Sequence, residues 1–240
     1  MSGHSKYANI KHRKEKADGI RGKIFTKLGR EIAVAVKLGG ADPEANSKLR
    51  DAIAKAKANN LPNDNIARSI KKASGEMGDN QYTENVYEGY GPSGVAVIVE
   101  TMTNNRNRTA SDMRHYFDKF GGNLGTTGCV SFMFEKRGVI IIDREKADED
   151  TLMLDALDAG AEDFTAEQDY YEILTDPNLL NQVRDTLLEK GYTFESADVD
   201  RIPQTSTTLT DEKDILLMQK LIDHLEDNDD VQNVYHNWEE

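Results

Sequence analysis

The apolar residues of this chain follow a helical spacing in its first third and a strand spacing afterwards. Leu28, Ile32 and Val36 recur at four-residue intervals, which is typical of one face of an amphipathic helix. After the polar stretch SGEMGDNQ, compact apolar runs such as residues 95–99 alternate with turn clusters rich in Gly and Pro, which is typical of strands and hairpins. The pattern therefore predicts a helical part followed by an α+β part.

Three short helices are predicted before residue 79. The first ends at a Gly-Gly pair, the second fits residues 46–58, and the third begins at Pro62. Pro favours the first turn of a helix, and Gly favours the position after the last turn. We therefore predict a three-helix domain over residues 19–78, preceded by a mobile basic tail over residues 1–18.

A ferredoxin-like sandwich is predicted in the second half of the chain. Residues 138–201 show the order strand, helix, strand, strand, helix, strand, which is the element order of that fold. We expect this unit to occupy residues 136–202 as a separate, inserted domain.

The remaining α+β residues are predicted to form one discontinuous middle domain. The segment 203–240 reads strand, helix, strand, and a lone unit of this size cannot bury its own sheet face. We therefore join it to residues 79–135, with residues 231–235 in the same sheet as 95–99. A further strand is expected at residues 130–134. The fold class is thus α+β: a three-helix bundle followed by two small α/β (ferredoxin-like) sandwiches, one inserted in the other.

Charge is distributed unevenly along the chain. The 240 residues carry a net charge of −13, yet residues 1–75 hold 17 Lys and Arg against 7 Asp and Glu, and the rest holds 13 against 36. Lys and Arg bound to phosphates release condensed counterions, so an excess of +10 predicts nucleic-acid binding in the first part. Any single lysine there could simply be solvated, and the prediction rests on the sum. The acidic remainder should avoid nucleic acid. The simpler interpretation of its charge is solubility, although repulsion from phosphates would also orient the molecule on its target.

The residue types of common catalytic sites lack the spacing that catalysis requires. The five histidines form no HExxH pattern, no GxxxxGK[ST] occurs, and the acidic run at 226–230 lacks the glycine of an EF-hand loop. Cys129 is expected to be a buried, inert thiol. The runs GYGPSG and FGGNLG are expected to be turns rather than phosphate cradles. We predict a non-enzymatic protein with no metal, no cofactor and no small-molecule substrate.

The same sequence predicts a cytoplasmic protein without membrane contact. No run approaches the ~18 apolar residues of a membrane span. The first residues show basic charges with no apolar core behind them, unlike a signal peptide. One cysteine cannot form an internal disulfide.

One basic segment interrupts the acidic part. In TMTNNRNRTASDMR, Asn105, Arg106 and Arg108 lie where a strand is predicted to end and a helix to begin. The donors at a helix start favour an anion such as an RNA phosphate. Asn and Thr also favour such positions as helix caps, so both interpretations stay open.

Several long motifs are similar to those of the YebC family. They include MSGHSKYANIKHRKEKAD, KIFTKLGREI, NLPNDNIARSIKKASGE, YEGYGPSGVAVIVE, TNNRNRTASDMRH and GGNLGTTGCVSFMF. The resemblance covers nearly the whole chain. The family usually carries Trp where this chain has Tyr7, which weakens any argument from indole stacking.

The resemblance implies a three-domain cytoplasmic protein, with two alternatives for its function. Members have been described as probable transcriptional regulators that bind DNA. The family is also related to the mitochondrial translational activator of cytochrome oxidase, and members have been tied to ribosomes at stall-prone, proline-rich stretches. The bundle helices present mainly Lys and Ala, whereas base readout in DNA needs Arg, Asn or Gln. We therefore favour a ribosome- or RNA-associated translation factor and keep a DNA-binding transcriptional regulator as the alternative, with ribosomal RNA or DNA as the partner.

The N-terminal tail resembles the YebC family sequence more closely than a generic charged arm would need to. It suggests that Gly3, His4, Tyr7 and Asn9 fit a shaped pocket, with Tyr7 stacked on a base. Alternatively, Tyr7 and Ile10 only anchor the tail on the bundle. The complete set of predicted nucleic-acid-binding residues is Gly3, His4, Lys6, Tyr7, Asn9, Lys11, His12, Arg13, Lys14, Lys16, Arg21, Lys23, Lys27, Arg30, Lys55, Lys57, Arg68, Lys71, Lys72, Asn105, Arg106 and Arg108.

Overall fold

The computed structural model describes residues 17–75 and 82–239. The described chain divides into two compact units, one of residues 17–132 with 206–239 and one of residues 133–205. The helices and strands in chain order are α1 (Ala17–Gly39), α2 (Ser47–Ala58), α3 (Asn63–Ala73), β1 (Thr83–Tyr90), β2 (Ala96–Thr103), α4 (Arg106–Lys119), β3 (Asn123–Leu124), β4 (Phe134–Asp143), α5 (Glu149–Ala159), β5 (Asp163–Ala166), β6 (Tyr170–Thr175), α6 (Leu180–Glu189), β7 (Ser196–Pro203), β8 (Thr207–Thr208), α7 (Glu212–Asp227), β9 (Val231–His236) and β10 (Trp238–Glu239).

Helices α1, α2 and α3 form the expected bundle, hereafter the helical bundle. Their apolar stripes meet in one core, in which Ile32 and Leu49 are fully buried. Asn46 fixes the turn between α1 and α2. Its side chain accepts from the Leu49 N–H at 3.1 Å and donates to the carbonyls of Ala35 and Gly40, both at 2.8 Å. This one buried amide therefore caps α2 and holds it to the end of α1.

The middle sheet contains four antiparallel strands in the order β3-β1-β2-β9. Val97 and Val99 of β2 face a core that also contains Phe117 of α4 and Leu221 of α7. The two helices therefore cover the same face of the sheet. Strand β9 pairs with β2, with Val97 opposite His236, so the pairing expected between residues 231–235 and 95–99 is present.

The residues between the two parts of the middle sheet form a second four-stranded sheet. Its strands are antiparallel and follow the order β5-β6-β4-β7. Along the chain, α5 connects β4 to β5, and α6 connects β6 to β7. This is the ferredoxin-like arrangement expected from the sequence. Ile140, Ile173 and Val183 form part of its core. The α+β fold class is confirmed.

The prediction of a strand at residues 130–134 is wrong. Residues Ser131–Met133 form a single 3-10 turn, and Phe134 begins β4 of the second sheet. The Glu88 carboxylate accepts hydrogen bonds from the backbone N–H groups of Val130 at 3.0 Å and Ser131 at 2.9 Å. These donors are therefore not available for a strand ladder, and the edge of the middle sheet is instead β3.

A glycine in the run FGGNLG has a packing function. A Cβ atom on Gly122 would lie 2.5 Å from the Tyr90 carbonyl oxygen, a distance that real Cβ atoms do not adopt. The glycine therefore allows the chain entering β3 to approach the end of β1. None of the helices in the described part combines the length and apolar character that a membrane crossing requires.

The role of α7 in the middle core can be tested with Leu221→Ala. Leu221 is fully buried, and removing its side chain leaves a cavity between α7 and the sheet. We expect the free energy of unfolding to fall by about 2–5 kcal/mol, measured by urea unfolding followed by circular dichroism.

Leu216→Ala is the matched control, because Leu216 lies on the same helix with half of its surface exposed. We expect it to change the unfolding free energy by less than about 0.5 kcal/mol. Equal losses in the two variants would contradict the assigned face of α7.

Candidate nucleic-acid interface

Ten predicted binding residues, at positions 3–16, lie outside the described residues. Arg21 lies in the first turns of α1.

Three cations of α1 contact the middle domain. Lys23 forms an ion pair with Asp227 at 2.8 Å, and the Lys27 ammonium group donates to the carbonyl of Glu226 at 2.8 Å. Arg30 reaches further and binds Asp230. The structure thus places this row of charges against the end of α7 and the turn before β9, where it holds the bundle to the middle sheet.

The Asp230 carboxylate is the centre of that contact. One oxygen, Oδ1, accepts from Arg30 Nη1 at 2.7 Å, and the other, Oδ2, accepts from Arg108 Nη2 at 2.8 Å. The hydroxyl groups of Thr103 and Thr109 donate to Oδ2 at 3.1 and 2.7 Å. Only 4% of the Asp230 side chain is exposed, against 13% for Arg30 and 49% for Arg108. A buried carboxylate is here satisfied by two cations and two hydroxyls.

These partners change the acidity of Asp230. Burial alone would raise the pKa of its carboxyl group, but the hydrogen bonds from Arg108 and Thr109 and the charge of Arg30 outweigh that effect. The pKa therefore lies below its usual value, and Asp230 is ionised at neutral pH.

The basic segment at residues 105–108 is mainly a capping structure. The Asn105 side chain accepts from the Arg108 N–H at 3.1 Å and is the N-cap of α4. The Arg108 side chain turns back to Asp230. Arg106 is exposed at the helix start, whereas the Arg108 guanidinium is paired with Asp230.

The remaining predicted cations lie on α2 and α3. Lys55 forms an ion pair with Glu31 at 3.3 Å. Lys57 is exposed at the end of α2, and the other three are exposed along α3. These are Arg68, Lys71 and Lys72.

A cleft of about 350 Å³ opens beside α3. Its lining includes Phe25, Arg30, Arg68, Ser69, Lys72 and Tyr82. The Arg30 guanidinium carbon lies 5.4 Å from the centroid of the Tyr82 ring, which is within cation–π range. None of the described residues that line the cleft is acidic.

The loop before the second sheet is fixed by Glu88. Besides Val130 and Ser131, its carboxylate accepts from the Gly128 N–H at 2.9 Å. Burial alone would raise the pKa of Glu88, but the three backbone donors hold it below its usual value. Burial and the neighbouring Glu88 charge raise the pKa of Cys129. That thiol is therefore protonated at neutral pH and poorly nucleophilic.

Two important residues were not predicted from the sequence. Asp230 belongs to a run of acidic residues that looks like a solvated helix end, and only the distant Arg30 and Arg108 give it a role. Tyr82 follows a polar stretch and has no apolar periodicity around it. Both depend on contacts between distant parts of the chain, which no local pattern reports.

The comparisons with known proteins cover almost all of the chain. Residues 5–76 match the family described as TACO1/YebC protein N-terminal domain, and residues 82–238 match TACO1/YebC second and third domain. The chain belongs to the YebC family. A YebC relative from Acetivibrio thermocellus, called a probable transcriptional regulatory protein, is 66% identical over 239 residues and 99% of each chain.

A second relative and a solved structure are also similar to this YebC protein over most of its length. A probable transcriptional regulatory protein from Ruminiclostridium cellulolyticum is 64% identical, over 100% of this chain and 97% of the other. The crystal structure of a conserved hypothetical protein from Aquifex aeolicus superposes with a TM-score of 0.86 at 45% identity, covering 92% of this chain and 91% of that one. Among the residues described in this YebC protein, no group of His, Cys, Asp and Glu is arranged to hold a metal ion.

The contribution of Asp230 can be tested with Asp230→Asn, which removes the charge and keeps the shape. We expect the free energy of unfolding at pH 7 to fall by on the order of 3 kcal/mol, because Arg30 and Arg108 lose a buried charged partner. The native pKa lies below the ~3.9 of an unfolded Asp. The stabilisation is therefore complete at pH values well above 4 and disappears as the pH falls through the native pKa.

Urea unfolding of wild type and variant should therefore differ most at neutral pH, and the difference should shrink below about pH 4. Asp229→Asn is the matched control, since it removes the same charge from the adjacent, exposed side chain and should change stability by less than about 0.5 kcal/mol. A constant difference at all pH values would show that ionisation of Asp230 is not involved.

Proposed function

We propose that this YebC protein is a non-enzymatic, RNA-binding regulator of gene expression that associates with the ribosome in the cytoplasm. In this role it helps protein synthesis through stall-prone, proline-rich stretches. The observation that carries the proposal is the charge separation between residues 1–75, with a net charge of +10, and the acidic remainder.

The distribution of the acidic charge supports the same proposal. Residues 133–205 hold 19 Asp and Glu against 7 Lys and Arg, so that compact unit alone has a net charge of −12. A unit of this charge is repelled by phosphate backbones. The helical bundle and the tail are thus the parts suited to contact RNA, and the acidic unit is suited to stay away from it.

The exposed cations of α3 provide the described part of the binding surface. Arg68 and Lys72 are exposed, and both line the cleft beside Tyr82. By contrast, Lys23, Lys27 and Arg30 bind groups of the middle domain. We therefore assign RNA contact to α3 and the tail rather than evenly to every cation of the bundle.

This surface is better suited to binding RNA than to sequence-specific recognition of DNA. Direct readout of DNA requires side chains such as Arg, Asn or Gln on a helix placed in the major groove. Five of the seven Lys and Arg residues of α2 and α3 are lysines, which bind backbone phosphates without reading sequence. A basic tail that folds on binding is common in proteins that recognise structured RNA.

A DNA-binding transcriptional regulator is the second candidate. It is favoured by the names of the relatives, which are called probable transcriptional regulatory proteins.

Salt dependence tests the electrostatic basis of RNA binding. If the protein contacts ~6–10 phosphates, its affinity for a labelled RNA should fall about 10³–10⁵-fold between 50 and 200 mM salt. Fluorescence anisotropy at several salt concentrations measures this slope. A nearly flat response would contradict the role of the basic residues.

Sedimentation distinguishes the two candidate functions. We expect the protein in a cell lysate to comigrate with ribosomal particles in a sucrose gradient, because its binding surface would be occupied by ribosomal RNA. Blotting the fractions before and after RNase treatment gives the measurement. Migration only in the light fractions, together with specific binding to a promoter fragment, would instead support the DNA-binding regulator.

A further inference from the structure

We propose that the cleft beside α3 binds one unpaired nucleotide of a single-stranded RNA, with its phosphate on Arg68 and Lys72 and its base against Tyr82. This inference rests on the proposed RNA-binding function and assigns it to one place in the fold. The cleft lies between α1, α3 and the residue that precedes β1.

The chemistry of the lining matches the parts of a nucleotide. Arg68 and Lys72 supply positive charge one helical turn apart on the same face of α3. Ser69 and Asn65 supply hydrogen-bonding groups, and Phe25 and Tyr82 supply aromatic rings. Unpaired RNA bases are commonly bound by stacking on aromatic rings while their phosphates contact Arg and Lys. Because no described lining residue is acidic, nothing on the described walls opposes a phosphate.

One residue that lines the cleft, Arg30, is held in place by Asp230. Arg30 is held by Asp230 at 2.7 Å on one side and lies 5.4 Å from the Tyr82 ring centroid on the other. The Arg30 Nε atom is buried and has no hydrogen-bond partner among the residues that the structure describes. Asp230 thus fixes the position of Arg30, and the Arg30 guanidinium lies against the Tyr82 ring at the cleft.

The size of the cleft is compatible with one unpaired nucleotide. A volume of about 350 Å³ is near the lower end of the ~300–1,000 Å³ range of small-ligand pockets. It accommodates a single base with its sugar and phosphate, whereas a duplex keeps its bases stacked and paired.

Filling the cleft tests the proposal without changing any charge. Ser69→Trp places a large side chain in the cleft, and Ala67→Trp places the same side chain on an exposed position of the same helix. With the full chain and a fluorescein-labelled single-stranded RNA 12-mer, we expect Ser69→Trp to weaken binding by about tenfold or more, the effect of losing one stacked base. Ala67→Trp should bind within about twofold of wild type. Equal affinities of the two variants would overturn the proposal.

If Ser69→Trp does not fold, a comparison of two double variants that each lose two positive charges tests the proposal instead. The double variant Arg68→Gln/Lys72→Gln removes two charges from the cleft, and Lys48→Gln/Arg50→Gln removes two from exposed positions of α2. We expect a clearly larger loss of affinity for the first pair. Equal losses would mean that only total charge matters, which overturns the cleft while leaving the proposed RNA-binding function intact.

Competition separates an unpaired nucleotide from a duplex. Unlabelled single-stranded RNA of the same sequence should displace the labelled 12-mer far more effectively than duplex DNA of equal length does. Equally effective displacement by the duplex would overturn the proposal. Absence of any binding by the wild-type chain would instead contradict the proposed function itself.

Discussion

The buried Asp230 carboxylate joins the helical bundle to the middle sheet. It lies in the turn just before β9 and binds Arg30 of α1 and Arg108 of α4, together with the hydroxyls of Thr103 and Thr109. A buried charge of this kind is tolerated only when its partners satisfy it completely. The orientation of α1 on the sheet is therefore set by directional hydrogen bonds, and not by apolar packing alone.

This junction divides the cations of the bundle into two groups. Those on the α1 face, such as Lys23 and Lys27, bind carbonyl and carboxylate oxygens of the middle domain. Those on α3, such as Arg68 and Lys72, stay exposed. The net charge of the basic part therefore overstates the surface available to a partner, and the location of each charge matters more than the total.

The elements that local pattern determines could be predicted from the sequence. The helical spacing around Ile32 and the strand order of the second sheet depend on short-range periodicity and turns, and the pairing of β9 with β2 followed from the need of a short segment to bury its face. The strand expected at 130–134 failed because Glu88, more than 40 positions away, binds its N–H groups. The roles of Asp230 and Tyr82 were not predicted for the same reason, because they arise from partners distant in the chain. For the candidate site, composition identified the basic region, and only the fold could separate its two faces.

The inserted sheet begins and ends at adjacent points. Phe134, the first residue of β4, lies opposite Pro203, the last residue of β7. The chain therefore leaves the middle domain and returns to it across a gap of one strand spacing, despite about seventy intervening residues. The insert's own fold already holds its two ends together. The middle domain therefore loses only the entropy of closing a short connection, and not that of closing a long flexible loop. The register of the host sheet is set by its own strand pairs, such as β2 with β9, and not by the length of chain that the insert contains.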